Sequence, residues 1–414
     1  MMKKIINNNK FLKIFLFMQP FLDVLAAVLI YNNVDNFVTS LIRLVFMGLM
    51  VLYLYFGEYE NKKKTLIYVS TLIMTIIIHT LIMVFDKDMS VFMYEFKNTI
   101  STYYFVFLLI SLGVIYKDNK ISKKELMYLW IIYVLLTFIP NVLGIGFKSY
   151  SHSKTGMTGW FYSANVVGSI LVIILPIILI EIKKLPKLLI VILGALVLYS
   201  VFSLGTKTPV LGLGIILFFN LLYYVYKLFK SKKKKSIVII FSSLILLCGV
   251  SAYVIPKTSF YENLKIHYNF LKKNDVKIFS KEFLDHFVFS QRLSMEERTR
   301  HNYNKSHIQE KIFGIGYIEN YSTDSVNLKI VEMDYFDIFY REGIIGFILF
   351  FIPIIYMIVM FFKNNSINFV SVNMFISILL IMLLALFQGH IFITPAISIF
   401  VALILNMGRS KLSE

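Results

Sequence analysis

VEMDYFDIFYREGIIG, residues 331 to 346, places carboxylates and an arginine directly before an apolar run that continues to residue 361. A run of this length can cross the roughly 30 Å of hydrocarbon in a bilayer. Charged side chains are costly inside the hydrocarbon, so their position ahead of the run marks the membrane surface. The stretch therefore predicts a transmembrane helix with a charged end at one face of the membrane.

The composition of the whole chain agrees with a membrane location. Of 414 residues, 58% are hydrophobic and only 16% are charged, which is typical of a polytopic membrane protein and not of a soluble domain. The one cysteine, Cys248, lies inside an apolar run, so it can build neither a disulfide framework nor a thiolate metal site. Redox chemistry at cysteine is therefore not expected.

Apolar windows recur along the chain and predict an all-α protein with about twelve transmembrane helices. The first window contains Pro20 and Asp23 and is not followed by a small-residue cleavage site, so we expect a retained span and not a signal peptide. The windows lie at residues 11–31, 37–56, 64–85, 99–116, 125–145, 161–182, 187–204, 209–229, 236–255, 338–361, 368–387 and 391–408.

The lysines predict the orientation of these helices, because cytoplasmic loops retain an excess of Lys and Arg. Alternate connections are rich in basic residues, so we expect them, together with both termini, in the cytoplasm. The net charge of +18 then mostly reflects the orientation of the helices in the membrane. Runs such as SKKKKS at 231 to 236 are expected to face anionic lipid and not nucleic acid.

A long polar segment separates the ninth and tenth windows. We predict transmembrane helices in residues 1–255, an extracytoplasmic and partly helical cap in residues 256–333, and three further transmembrane helices with a cytoplasmic tail in residues 334–414. Within the cap, EFLDHFVF (282 to 289) and SMEERTRHNYNKSHIQEKIF (294 to 313) have the pattern of short helices. The cap is therefore expected to be folded.

The charges that open the tenth helix have two interpretations. Asp337 and Arg341 form an i, i+4 pair in the favourable order and complement the helix dipole, so we interpret them as structural. Glu332 and Asp334 are better candidates for function, because a carboxylate near cations at a membrane surface can act as a base towards a hydroxyl. Both can serve only if Glu332 is still in the preceding loop, since they lie two positions apart.

A second candidate lies in SLGTKTPVLGLG, residues 203 to 214. Gly205 is expected to end the seventh helix, Thr208 to cap the eighth, and Lys207 to lie in the tight turn between them. A helix N-terminus with Thr206, Thr208 and a lysine can bind an anion. An ordinary hairpin with an outward-reaching lysine explains the same residues equally well.

Three further stretches carry weaker signals. FSQRLSMEERTRHNYNKSHIQEKIFGIGY (289 to 317) contains arginines that suit bidentate phosphate contacts, although each alone is more typical of an exposed charge. ALFQGHIFITP (385 to 395) marks a break between the last two spans with Gln388 and His390, where a lone histidine is more often structural than catalytic. VFDKDMS (84 to 90) contains an Asp-x-Asp pattern, which we interpret as a solvated helix end.

The chain resembles the bacterial O-antigen ligase and O-antigen polymerase superfamily, membrane glycosyltransferases of the C type. The resemblance rests on four motifs in order: GWFYSANVVGSILVIILP (159 to 176), SLGTKTPVLGL (203 to 213), the segment from SQR (290 to 292) to FGIGY (313 to 317), and VEMDYFDIFYREGIIG (331 to 346). The first half of the chain is similar to the family only in helix count and in MQPFLDVL (18 to 25) with Arg43.

The resemblance implies a glycan donor linked to undecaprenyl diphosphate, a sugar hydroxyl as acceptor, and neither metal nor nucleotide. Lys207 falls where the family usually has an arginine for the lipid diphosphate, and Arg292 matches a second arginine, with Arg298 as the alternative register. Glu332 falls where the ligases usually carry a catalytic-type histidine. Arg43 is expected as an accessory phosphate contact.

These implications predict a metal-independent glycosyltransferase that polymerises a capsular or other surface polysaccharide at the outer face of a bacterial plasma membrane. Glu332 is expected as the base, with Asp334 orienting the acceptor or the arginine. Expected accessory residues are Asn165, Thr206, Thr208, Gln388 and His390.

The expected partners are lipid-linked oligosaccharides as donor and acceptor, membrane lipids and a chain-length regulator, but not nucleic acid. A ligase that moves the glycan onto a wall or lipid acceptor is the alternative within the same class. A transporter is the alternative from another class, but it needs charges or broken helices deep in the bilayer. Only Asp23 and Arg43 come near that requirement.

Overall fold

The computed structural model describes residues 9–87, 89–115, 121–150, 154–230, 253–318 and 331–412, and its named elements are helices. The elements before the cap are α1 (Asn9–Tyr31), α2 (Phe37–Phe56), α3 (Lys62–Asp86), α4 (Phe92–Ile115), α5 (Lys123–Val142), α6 (Ala164–Ile182), α7 (Lys187–Ser203) and α8 (Lys207–Lys230). The cap contains α9 (Ser259–Lys273), a helical turn (Lys281–Phe283) that continues as a π-helical turn (Leu284–Val288), α10 (Arg292–Lys305) and α11 (Ile308–Phe313). The last elements are α12 (Asp334–Asn364), α13 (Phe369–Phe387) and α14 (Pro395–Arg409).

The predicted spans correspond closely to these helices. Among the described residues, nine helices are long and apolar enough to cross a membrane, and the apolar helices α7 and α14 are somewhat shorter. Eleven of the twelve predicted windows therefore coincide with helices, which confirms the all-α polytopic fold. Most of the window at 236–255, together with Cys248, the lysine run at 231–236 and Asp88, lies outside the described residues.

The centre of the bundle is formed by helices that are apolar on all sides. Most residues of α6 and α14 are buried; α6 packs against α5, α8 and α13, and α14 packs against α4 and α12. A helix that is apolar all round is typical of an element with neighbours on every side. By contrast, α7 and α8 bury few residues and present apolar side chains outwards, as helices in contact with lipid do.

The long helix α12 is interrupted at Gly343, where φ is +68°. Glycine adopts this left-handed region without the steric cost that other residues incur. The carbonyls just before the break bind the cap: Ile315 N–H donates to the Tyr340 carbonyl at 3.0 Å. Gly316 N–H donates to the Arg341 carbonyl at 3.2 Å. The backbone of FGIGY (residues 313 to 317, the FGIGY segment) therefore docks directly on the broken helix.

The FGIGY segment is also held by the start of α4. Glu95 is buried, and its carboxylate accepts the backbone N–H of Tyr317 at 2.9 Å. The Lys87 ammonium donates to Glu95 at 2.9 Å and to the Ile315 carbonyl at 2.7 Å. Interpreting residues 84–90 as a solvated helix end was therefore wrong for Lys87, whose side chain is only 7% exposed. A buried carboxylate needs a charged or hydrogen-bonding partner, and Lys87 supplies it.

The turn between α7 and α8 differs from the sequence prediction in the residue at which α8 begins. Gly205 follows the end of α7, as predicted, with φ of +71°. Helix α8 then begins at Lys207, so Lys207 and Thr208 are its first residues and not the turn and the cap. Pro209 is compatible with this start, because the first N–H groups of a helix have no intrahelical partner.

The break in α12 generates a testable prediction. Gly343→Ala is expected to lower the melting temperature of the purified protein, because positive φ costs other residues about 1–3 kcal/mol. The added Cβ would also meet the Ile312 carbonyl at 2.5 Å. Gly194→Ala in α7 is the matched control, since nothing lies within 4 Å of its Cβ. Equal melting temperatures for wild type and Gly343→Ala would contradict the docking account.

Candidate functional site

An ion pair between Arg292 and Glu332 lies where the cap meets the helical bundle. The guanidinium Nη2 of Arg292 donates to Glu332 Oε2 at 2.9 Å, and its Nη1 donates to the Phe387 carbonyl at 3.1 Å. Arg292 is 7% exposed, and its Nε has no partner among the described residues. The pair thus joins the cap to the segment before α12 and leaves one buried donor available.

Arg292 is the first residue of α10, and Asp285 fixes the start of that helix. The Asp285 carboxylate accepts the backbone N–H of Leu293 at 2.9 Å and of Ser294 at 3.4 Å, and it also accepts the Ser294 hydroxyl. An aspartate in this position caps a helix and complements its dipole. Asp285 therefore holds Arg292 in place. Sequence reasoning missed this role because a helix-capping side chain usually lies directly before its helix, whereas Asp285 lies several residues before α10.

Glu332 lies two residues before α12, in the loop, as required for it to act beside Asp334. Its φ of +63° is unusual for a residue with a side chain. The loop is held by Asp337, which accepts the N–H groups of Val331 at 2.9 Å and Met333 at 3.2 Å. Arg341 Nε donates to Asp337 at 3.2 Å, which confirms the predicted i, i+4 pair.

Asp334 performs the same task for the connection between α13 and α14. Its buried carboxylate accepts the backbone N–H of His390 at 2.6 Å and of Ile391 and Phe392 at 2.8 Å each. Both oxygens are therefore occupied by backbone donors. Asp334 positions His390, and the imidazole Nε2 lies 4.0 Å from Glu332 Oε1.

The charges around Glu332 decide its protonation. The His390 imidazole and the Arg292 guanidinium lower the pKa of Glu332 to about 2 and outweigh partial burial, which raises it. Burial lowers the pKa of His390, but the carboxylates of Glu332 and Asp334 raise it by a larger amount. The pKa of His390 therefore lies above its ordinary value. At 4.0 Å the two side chains interact as charges more than through a direct hydrogen bond. Glu332 is thus an ionised carboxylate and a weak base while Arg292 remains its partner.

Lys207 contacts the cap segment that leads to Arg292. Its ammonium donates to the Phe287 carbonyl at 2.6 Å and lies 4.5 Å from the centre of the Phe287 ring. Lys207 and Arg292, the two residues predicted to bind the diphosphate, are therefore linked through residues 287 to 292 and do not contact each other directly. Thr206, just before α8, is buried, and Thr208 is half-buried in its first turn.

Two other predicted cations lie away from this cluster. Arg298 is exposed on α10, so the structure brings Arg292, and not Arg298, to Glu332. Arg43 is buried between α1 and α2, where it pairs with Asp23 and donates to Gln19 at 3.3 Å. Tyr133 also donates to Asp23 at 2.7 Å. This arrangement satisfies the intramembrane charges that had raised the transporter alternative.

Gln388 connects the site to the start of α6. Its amide Nε2 donates to the Asn165 carbonyl at 2.8 Å, and its Oε1 accepts the Ser169 hydroxyl at 3.1 Å. The accessory candidates Gln388, Asn165 and His390 therefore belong to one continuous region. Sequence spacing alone could not join them, because more than 200 residues separate Asn165 from Gln388.

This fold and site define a polytopic membrane protein with a buried arginine, a carboxylate and an imidazole gathered under a folded cap. A model of the O-antigen ligase like membrane protein family matches residues 7–282 and 272–408. The chain therefore belongs to this family. No curated protein matches it. Family membership gives the protein a membrane glycan-processing function of the glycosyltransferase type, with lipid-linked oligosaccharides as the general substrate class.

Proposed function

We propose that the protein is a surface polysaccharide polymerase. It transfers a glycan from undecaprenyl diphosphate to a sugar hydroxyl of a second lipid-linked repeat unit, and it needs neither metal nor nucleotide. The observation that carries the proposal is the ion pair of buried Arg292 with Glu332, close to His390. The distribution of lysines supports a location in the bacterial plasma membrane with this site on the extracytoplasmic face.

Arg292 stabilises the leaving group in this mechanism. The bond between the anomeric carbon and the diphosphate oxygen breaks, and the electron pair leaves with the diphosphate. A guanidinium binds such an oxyanion through several N–H groups, and its field is strong where water is excluded. Arg292 is buried and retains an Nε donor without a partner in the described structure. Lys207, beside the same cap segment, serves as the second cation.

Glu332 accepts the proton of the acceptor hydroxyl, whose oxygen forms the new bond to the anomeric carbon. While His390 and Arg292 both lie beside Glu332, the pKa of about 2 makes the carboxylate a poor base. A diphosphate that replaces Glu332 on Arg292 removes one of the two cations, His390 and Arg292, that lower this pKa, so the pKa of Glu332 rises. Donor binding thereby makes Glu332 a stronger base towards the acceptor hydroxyl.

A ligase would use the same groups and differ only in the acceptor. The polymerase is favoured because Glu332 stands where the resembling ligases carry a histidine. In this chain the imidazole comes instead from His390, in the connection between α13 and α14. The glycan chemistry is common to both activities, and the identity of the acceptor separates them.

Replacement of the buried arginine tests the leaving-group role. Arg292→Gln is expected to lower the rate of polymer formation by about 10²–10³-fold, the usual effect of removing one preorganised donor to a developing oxyanion. Arg298→Gln is the matched control on the same helix and should retain activity, because Arg298 is exposed. Polymer length and rate are measured by gel electrophoresis of membranes that contain equal amounts of each variant. Wild-type polymer from Arg292→Gln would remove this residue from the mechanism.

Replacement of the base should separate turnover from donor binding. Glu332→Gln keeps the shape but cannot accept a proton, so turnover should stop. Binding of the lipid donor should persist or tighten, because Arg292 no longer has an anionic competitor. Asp334→Asn should instead lower the melting temperature, since it places a donor against backbone N–H groups. Full-length polymer from Glu332→Gln would refute the assignment.

A further inference from the structure

A cleft with a volume of about 660 Å³ opens beside the site and has no role in the transfer chemistry described above. Its wall is formed by the end of α1, the connection between α5 and α6, the start of α6 and the residue before α8. Sites that bind small molecules typically have volumes of about 300–1,000 Å³. The cleft is therefore large enough to hold part of a substrate.

Part of the lining of the cleft is aromatic. Tyr31 stacks on Phe147 with ring centres 4.1 Å apart, and Tyr162 meets Tyr31 edge-on at 5.8 Å. The Tyr31 hydroxyl donates to the Lys148 carbonyl at 3.0 Å, which fixes this ring. Tyr162 is 53% exposed, so much of its ring remains free to contact a ligand.

The cleft is also lined by residues whose hydroxyl groups have no partners in the described structure. Thr206 is 5% exposed, and its hydroxyl has no hydrogen-bond partner among the described residues. The Ser149 hydroxyl is also buried and unpartnered in that part of the chain. Polar groups buried in native proteins are nearly always bonded, so such exceptions at the wall of a cleft indicate positions that a ligand can satisfy.

The cleft adjoins the Arg292 site through the end of α13. Phe387 accepts a hydrogen bond from Arg292, and the next residue, Gln388, donates to the carbonyl of the cleft residue Asn165 at 2.8 Å. Arg292 also acts on the cleft residue Tyr150: burial raises the pKa of this phenol, and the guanidinium opposes part of the rise. A molecule with its diphosphate on Arg292 can therefore extend into the cleft.

We infer that this cleft is a saccharide-binding subsite, in which a pyranose ring packs on Tyr162 and its hydroxyls bond to the polar wall around Thr206. The inference rests on the proposed function, and it adds the subsite that positions the glycan. The C–H face of a pyranose is apolar and weakly positive, so it suits the negative face of an aromatic ring. The sugar hydroxyls lie around its edge, where they meet partners such as the Thr206 hydroxyl. An acyl chain would leave these polar groups unsatisfied.

The test measures binding of two probes to the purified full-length protein. The first probe is a microarray of soluble oligosaccharides from bacterial surface polymers, and the second is sugar-free undecaprenyl diphosphate. Tyr162→Ala should weaken oligosaccharide binding about tenfold, whereas Tyr162→Phe retains the ring and should bind normally. Tyr226→Ala, at a 56% exposed tyrosine of α8, is the matched control and should bind like the wild type. Thr206→Val should weaken binding without loss of thermal stability, since the hydroxyl has no partner in the described structure.

The second probe separates this inference from the proposed function. Undecaprenyl diphosphate should bind Tyr162→Ala normally and Arg292→Gln poorly. If oligosaccharide binding depends on Tyr162 while lipid binding does not depend on Arg292, the cleft assignment stands and the polymerase proposal fails. If no oligosaccharide binds, or if wild type and Tyr162→Ala bind equally, the cleft assignment is overturned.

A third arm identifies the source of the sugar. An oligosaccharide that binds on the array is coupled to undecaprenyl diphosphate and tested again. Weaker binding of this conjugate to Tyr162→Ala assigns the cleft to the donor glycan. An effect confined to the free oligosaccharide assigns it to the acceptor glycan.

Discussion

The docking of the FGIGY segment on the broken helix α12 is the contact on which the arrangement of the site depends. A helix break within a membrane protein leaves backbone carbonyls that need donors. Here Ile315 and Gly316 of the cap supply two of them, and the break itself is possible because Gly343 adopts positive φ. The same contact fixes the cap on the bundle and brings α10 to the loop before α12. The docking of the FGIGY segment thus constrains both the position of the cap and the geometry of the site.

The site is assembled from three regions that are distant in sequence, and each region is held by a carboxylate that binds backbone N–H groups. The three pairs are Asp285 with Arg292, Asp337 with Glu332, and Asp334 with His390. Buried carboxylates used in this way position the charged side chains of the site by fixing the backbone around them. The electrostatic consequence is that the His390 imidazole and the Arg292 guanidinium together lower the pKa of the Glu332 carboxylate.

Much of the fold and part of the site could be predicted from the sequence. Apolar windows located the spans, because a bilayer requires continuous apolar helices, and helical spacing gave the Asp337–Arg341 pair. The roles of Glu95 and Asp285 could not be predicted, since each depends on tertiary contacts with backbone N–H groups and not on a helical period.

The choice between two arginines of the cap also required the structure. Arg292 and Arg298 lie on one helix, and only the docking of the cap shows that Arg292 faces Glu332. The position of a histidine also required the structure. In the sequence, Glu332 stands where the resembling ligases carry a histidine, and the structure places His390, from the connection between α13 and α14, beside the Glu332 carboxylate.

The proposed metal-independent polymerisation of lipid-diphosphate-linked glycan is tested most directly by reconstitution. Purified wild-type protein is incubated with a synthetic undecaprenyl-diphosphate-linked repeat unit as both donor and acceptor, with a chelator present and nucleotide absent. A polymerase is expected to give a ladder of products that grows by one repeat unit per step, with release of undecaprenyl diphosphate. Unchanged substrate under these conditions would contradict the proposal.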